Sequence, residues 1–468
     1  MDGIFERRKP VELIISDSLA AGEAEGTALK RAMGVWGITA LGIGAIVGTG
    51  IFVLTGHAAA TMAGPAIVIS FVIAGIVSAL AALCYAELAS TVPVSGSAYT
   101  YVYATLGEFV AWIVGWGLIL EYALGAATVA IGWSGYFGDF LHATFGLAIP
   151  KALSTNPFEG GIVNLPAAII ILLISALLIR GTQESDVVNK VIVAVKLAIV
   201  AFFIIVGVGH VNPANWHPFA PFGFFGILHG AALVFFAYIG FDAVSTSAEE
   251  VKNPGRDLPR GIIGSLAVCT VLYIIVSGVL TGILPYTKLN VPSPVSFSLI
   301  QIGLGWAGAI VAIGAIAGLT TVLLVMLYGQ SRVFFAMSRD GLIPPMFCHV
   351  HPKFRTPFVS SAIIGVVVAI VAAIGKLDVV ANLVNIGTLV AFTLVSVGVI
   401  VLRRRSPDLK RGFRVPFSPV LPILSAVGAV ALIAIGLPLE TIVAYVIWLV
   451  IGLCVYFGYS RRHSKLQR

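Results

Sequence analysis

The sequence predicts an all-α integral membrane protein in which twelve helices cross the bilayer and both termini are cytoplasmic. Three observations predict it. The first is composition: of 468 residues, 59% are hydrophobic and only 10% charged, against about 25% charged in soluble domains. Mean hydropathy is +1.02, and apolar runs recur along the whole length, leaving no room for a separate soluble domain. The second is charge placement. All but four of the 28 Lys and Arg fall in the N-terminal arm, the even-numbered loops, the span ends bordering those loops or the C-terminal tail; Lys151, Lys288 and Lys376 fall at or in odd-numbered loops and Lys196 lies deep inside a span. This is the positive-inside pattern, so the net charge of +7 faces anionic lipid headgroups rather than nucleic acid. The third is that two spans carry helix-breaking sequence at mid-depth.

Residues 1–34 form a polar arm, with no short apolar core and cleavage site to mark a signal peptide. Span 1 covers 35–60. Pro65 opens span 2, at 65–89. A Tyr-rich amphipathic inner loop (Tyr99, Tyr101, Tyr103) leads to span 3, at 107–137, which carries Glu121. Spans 4 and 5 cover 162–180 and 187–209; span 6 covers 223–249; spans 7 and 8 cover 260–285 and 304–337. Spans 9 and 10 cover 357–376 and 378–402, and spans 11 and 12 cover 420–437 and 441–460. Each run is about long enough to cross the hydrocarbon core. Cys84, Cys269, Cys348 and Cys454 are scattered, with no spacing for a metal site or disulfide framework, and nothing calls for a cofactor.

Span 1 contains Gly42-Ile43-Gly44-Ala45-Ile46-Val47-Gly48-Thr49-Gly50. Each glycine costs about 1 kcal/mol against alanine in a helix interior. An irregular backbone at membrane depth is tolerated only where it is buried in protein or lines a cavity. Such density has two explanations: close helix packing through small residues, or a broken helix whose freed N–H and carbonyl groups hold a small zwitterion. The broken-helix reading is favoured. Span 6 carries Phe235-Phe236-Ala237-Tyr238-Ile239-Gly240-Phe241-Asp242, again a glycine and a charge at mid-span. The two interrupted spans lie five apart, so they cross in opposite directions. Matched interruptions of that kind mark an inverted repeat with a binding site at the midplane.

Four motifs then carry a resemblance. They are Gly42–Phe52; Gly240–Gly261 with Glu249-Glu250-Val251-Lys252-Asn253-Pro254; Ser331-Arg332-Val333-Phe334-Phe335-Ala336-Met337-Ser338-Arg339-Asp340-Gly341; and Arg411-Gly412-Phe413-Arg414-Val415-Pro416. In this order the chain resembles the amino acid–polyamine–organocation (APC) superfamily, most closely its cationic amino acid transporter branch. The resemblance implies a LeuT-type five-plus-five inverted repeat followed by two C-terminal helices. The cytoplasmic arm is then 1–34, the first repeat 35–211, the second 212–405, spans 11 and 12 fall in 406–460, and the tail is 461–468.

The resemblance also implies site residues. The α-carboxylate of an amino acid rests on N–H groups at Ile46, Thr49 and Gly50, and its ammonium on carbonyls at Phe236, Ala237 and Ile239. Phe236 shields the site as a gate, and Met326 shortens the side-chain pocket in favour of small neutral substrates. For single Phe and Met residues in a span, plain packing is the competing explanation. An ammonium at mid-membrane costs at least a few kcal/mol, and Lys196 lies too deep to snorkel comfortably. In sodium-coupled relatives of this fold helices 1, 5 and 8 form a cation site, and the match puts Lys196 there, replacing sodium and coupling transport to protons. Glu121 either carries a proton or satisfies loose backbone. Asp242 braces the second break or meets a basic substrate side chain, and bracing is favoured. Glu249 and Glu250, with Arg256 and Arg260, form an inner gate or simply a solvated face.

The expected function is secondary active transport of L-amino acids across the cell membrane, by proton symport. The alternative within the same fold is a proton-independent exchanger. An enzyme is discounted, because the eight histidines do not cluster within spans, and a channel requires a continuous polar stripe. The implied partners are an L-amino acid, protons and membrane lipids; a small membrane subunit stays open.

Overall fold

The structure, a computed structural model, describes residues 33–92, 98–181, 186–245, 251–351, 354 and 356–465. Among these, seven helical stretches are long and apolar enough to cross a membrane, and five more are apolar but shorter. Two isolated bridges, Met33 with Val251 and Ser154 with Asn164, are the extended pairings among the described residues.

The helices that position the site are, in order, α1 (Val35–Ile46), α2 (Ile67–Thr91), α3 (Ala98–Thr105), α4 (Glu108–Phe145), α5 (Leu165–Arg180) and α6 (Asp186–Val208). They continue as α7 (Gly223–Val234), α8 (Phe241–Ser245), α9 (Pro254–Ile283), α10 (Pro294–Gln301) and α11 (Gly305–Arg339). The last are α12 (Phe358–Ile374), α13 (Leu377–Arg405), α14 (Val420–Ala431) and α15 (Leu439–Val455). The packing centre is α4, which lies against both α11 and α13, while α9 packs on α1 and α2.

Several boundaries differ from expectation for local reasons. α2 runs past Glu87 to Thr91. α4 runs on to Phe145, where Gly146 adopts φ +66° and returns its N–H to His142, a left-handed helix stop that favours glycine. α9 begins at Pro254 rather than at 260. A proline at the first helical position loses no bond, and Pro259 is accommodated in the second turn. The Tyr-rich segment expected as an amphipathic loop is the helix α3, with Tyr99, Tyr101 and Tyr103 all buried. Burial and the neighbouring Asp340 carboxylate push the Tyr99 phenol up well above its ordinary value. Its hydroxyl donates to Asp340 Oδ2 at 2.7 Å.

One end of the molecule is tied by a network that the sequence did not point to. Glu87, 1% exposed, accepts from Arg403 Nε at 2.8 Å and from the Val415 N–H at 2.7 Å, and Arg411 Nε stands 3.5 Å away. Arg411 also donates to the carbonyls of Leu402 and Ser406, which close the C-terminal end of α13. A Cβ on Gly412 would lie 2.3 Å from the Gly255 Cα. Two of the motifs behind the resemblance therefore meet backbone to backbone. Glu249 and Glu250, expected as an inner gate, lie outside the described residues.

Candidate functional site

The first break is real. α1 stops at Ile46, Val47 is extended (φ −73°, ψ 102°), and the chain resumes as a π turn at Gly50–Leu54. Among the described residues, no backbone carbonyl closes on the N–H of Gly48, Thr49 or Gly50. Thr49 is 1% exposed, and its hydroxyl oxygen is buried without a partner. A buried orphan of this kind calls for a ligand or water. Ile46 differs from expectation: as the last residue of α1, its N–H belongs to the helix ladder. What Ile46 offers is its carbonyl.

The glycines of span 1 serve packing as well. A Cβ at Gly42 would meet Ser265 at 2.4 Å, at Gly44 Val193 at 2.5 Å, and at Gly50 the Ala237 Cα at 2.2 Å. The break and the close packing therefore coexist in span 1, and the last contact presses the first break against the second.

The second break begins where α7 gives way to a 3-10 turn at Phe235–Tyr238, followed by extended Ile239 (φ −65°, ψ 137°). Gly240 follows at φ +118°. A Cβ there would fall 2.8 Å from the Ala45 carbonyl oxygen, so glycine is needed both for the angle and for the approach. The Asp242 carboxylate accepts the Gly240 N–H at 3.1 Å. Asn385 of α13 donates to the carbonyls of Ala232 at 2.7 Å and Leu233 at 3.1 Å. Of the three carbonyls expected to hold an ammonium, Phe236 O takes the Ile239 N–H at 3.2 Å. Ala237 O stands 2.9 Å from the Tyr273 hydroxyl. Phe236 itself is buried and does not line the cavity described below.

Tyr273 of α9 was missed in the sequence. Its hydroxyl lies 2.9 Å from both the Ile46 and the Ala237 carbonyl oxygens, so one proton serves the two breaks in turn. Nothing distinguishes it in sequence from the other twelve tyrosines; its role exists only through the crossing of α9 over both breaks.

Lys196 is 1% exposed, and its Nζ donates to the Gly44 carbonyl at 2.7 Å. Its stem packs over Gly318 of α11, where a Cβ would come within 3.2 Å. The ammonium thus stands where α1, α6 and α11 meet and holds a carbonyl that the broken helix leaves open.

A small cavity of about 10 Å³ lies beside Gly240, lined by Ala45, Ile239, Asp242, Glu121, Met326 and their neighbours Tyr122, Val322 and Val325. That is room for about one water. Glu121 is 2% exposed, with Oε2 unpartnered. The Met326 sulfur nestles against Gly125, where a Cβ would lie 3.2 Å away. The cavity brings together Ile239, Met326, Glu121 and Asp242; Lys196, Thr49 and Gly50 stand outside its lining. Among the described residues no group of three or more His, Cys, Asp or Glu is placed to hold a metal.

Apolar helices broken part-way along, with free polar backbone and buried charged residues, are the features of an integral membrane protein. The chain matches the amino acid permease family over residues 33–459, and it belongs to that family, within the APC superfamily. It is 52% identical over 470 residues to the methylthioribose transporter of Bacillus subtilis (strain 168), with all of both chains covered. It is likewise 52% identical over 473 residues to the branched-chain amino acid permease BcaP of the same organism, again over all of both chains. Human cationic amino acid transporter 4 is 40% identical over 398 residues, which take in 82% of this chain and 62% of that one. The family is one of transporters, not enzymes.

Proposed function

We propose that this protein is a secondary active transporter of L-amino acids in the cell membrane, working by alternating access with proton coupling. In this reading twelve spans cross the membrane with both termini cytoplasmic, and spans 1–5 and 6–10 form inverted repeats around the two breaks. The observation that carries it is the facing pair of breaks. Free N–H groups at Gly48, Thr49 and Gly50 suit a carboxylate, and the carbonyl edge at Phe236–Ile239 suits an ammonium. These contacts read the part common to every amino acid. Met326 and Gly125, with Val322 and Val325, bound the space left for the side chain, and a small neutral one fits it best.

Lys196 supplies the coupling. Its ammonium holds Gly44 O, and loss of its proton weakens that charge-assisted hold on the end of α1. The exchanger alternative has no use for a titrating group at that position, so symport is preferred.

The substrate test is a thermal-shift screen of the purified protein against the twenty L-amino acids and methylthioribose. A ligand at about a hundred times its Kd adds about 2.7 kcal/mol to the state it binds. Stabilisation by small neutral amino acids is the expected result. A second reading, favoured by the equal identity to the methylthioribose transporter, takes that sugar as substrate; stabilisation by it alone overturns the amino acid reading. For coupling, uptake into proteoliposomes is measured with and without a pH gradient. Lys196→Ala is expected to abolish the gradient-driven part, and undiminished gradient-driven uptake overturns the assignment.

A further inference from the structure

Two polar atoms buried without partners lie against one face of α4, and the proposed mechanism uses neither. The first is Glu121 Oε2, in the cavity wall. The second is the Tyr445 hydroxyl on α15. Tyr445 is 3% exposed, although α15 lies outside the five-plus-five core and its outer face is largely apolar and exposed.

Glycines let this tyrosine in. A Cβ at Gly117 would sit 3.3 Å from the Tyr445 hydroxyl. A Cβ at Gly387 of α13 would sit 3.6 Å from the Gly117 carbonyl oxygen, 3.9 Å from Tyr445 Cε2 and 4.0 Å from the Glu121 Cβ. Gly117 and Glu121 are four residues apart on α4, hence one turn apart on the same face. Helical side chains lean towards the N-terminus of their helix, so the Glu121 carboxyl leans down towards the level of Gly117, where the tyrosine hydroxyl arrives. The two groups are near enough to interact electrostatically, yet neither satisfies the other directly. α15 is itself held in place: Trp116 Nε1 donates to the Trp448 carbonyl at 2.8 Å, and Trp448 Nε1 donates to the Trp116 carbonyl at 3.0 Å.

We propose that Glu121 Oε2 and the Tyr445 hydroxyl share one buried water above Gly117, which makes Tyr445 a positioning residue for the cavity's carboxyl group. A buried polar group is costly to leave unpaired, and a water between two such groups satisfies both. The hydroxyl can donate or accept through that water, so it serves either protonation state of Glu121. The other titratable groups facing Glu121 are Asp242 from α8, Tyr85 from α2 and Tyr122 from α4 itself. Through Tyr445 a helix outside the core acts on the wall of the site. The water site stands on geometry; its bearing on uptake rests on the proposed function.

The test reads the Glu121 group directly. Infrared difference spectra of the purified full-length protein, wild type minus Glu121→Gln, isolate its carboxyl or carboxylate band. Tyr445→Phe, which keeps the ring, and Gly117→Ala, which fills the water's space, are each expected to shift that band. In proteoliposomes both are expected to change uptake at fixed pH by about three- to tenfold, the worth of one hydrogen bond. They should also displace its pH profile, which lost packing alone does not do. A Glu121 band identical in wild type and Tyr445→Phe overturns the proposal, whatever the melting temperatures. A shifted band with no uptake of any amino acid leaves the water site standing and removes the transport reading instead.

Discussion

The two breaks solve the same problem in opposite ways. The second carries a brace in its own sequence, besides the distant Asn385 and Tyr273: Gly240 supplies a φ of +118°, and Asp242, two residues on, accepts the freed N–H at 3.1 Å. The first has no such local brace. Its freed carbonyls are taken from a distance, Gly44 O by Lys196 and Ile46 O by Tyr273, while its N–H groups at Gly48, Thr49 and Gly50 stay open. A break stabilised locally is a fixed hinge. A break held by an ammonium and a hydroxyl from other helices changes when those groups change, so under the proposed proton coupling the first is the element that would respond.

Four substitutions sharpen or break this contrast. The largest effect is expected from Gly240→Ala. An alanine at that φ is strained by about 1–2 kcal/mol, and its Cβ meets the Ala45 carbonyl oxygen. Together these destabilise by about 2–4 kcal/mol, read as a fall in melting temperature in detergent. Unchanged stability removes the fixed hinge. Gly50→Ala follows, at about 1–3 kcal/mol, since its Cβ drives into the Ala237 backbone and pushes the breaks apart; chemical denaturation measures it.

Tyr273→Phe deletes the one hydroxyl that serves both breaks, at about 1 kcal/mol. Because the first break has no local substitute, its amides are expected to exchange hydrogen faster than those around Gly240, and equal acceleration at both sites removes the asymmetry. The smallest effect is expected from Asp242→Asn, which keeps the acceptor oxygen and costs no more than about 0.5 kcal/mol, well under a lost hydrogen bond. A large loss of stability in that variant assigns Asp242 a charge-dependent role beyond bracing.

Much of the site was legible because its signals are local. Glycines clustered at 42–50, a glycine and an aspartate at 240–242, and a lysine deep in an apolar run each violate what a membrane helix prefers. Such violations mark function in the chain itself. Tyr273, Tyr445, Asn385 and Glu87 carry no such mark. A tyrosine, an asparagine or a glutamate near a helix end is ordinary until a partner is known, and their partners lie 36 to 328 residues away. The expected inner gate at Glu249 and Glu250 lies outside the described residues; among those described, a separate network centres on Glu87, joined to Arg403 and Arg411.

The sequence by itself determined the environment, the helices and the two places where they fail, because hydropathy and glycine content act within a few residues of backbone. Only the tertiary structure decided which distant side chains complete the broken ends, how little space remains between them, and that Tyr445 of α15 is buried against Gly117 of α4. Those outcomes depend on how helices cross, and a crossing is a property of pairs of surfaces that no single stretch of chain contains.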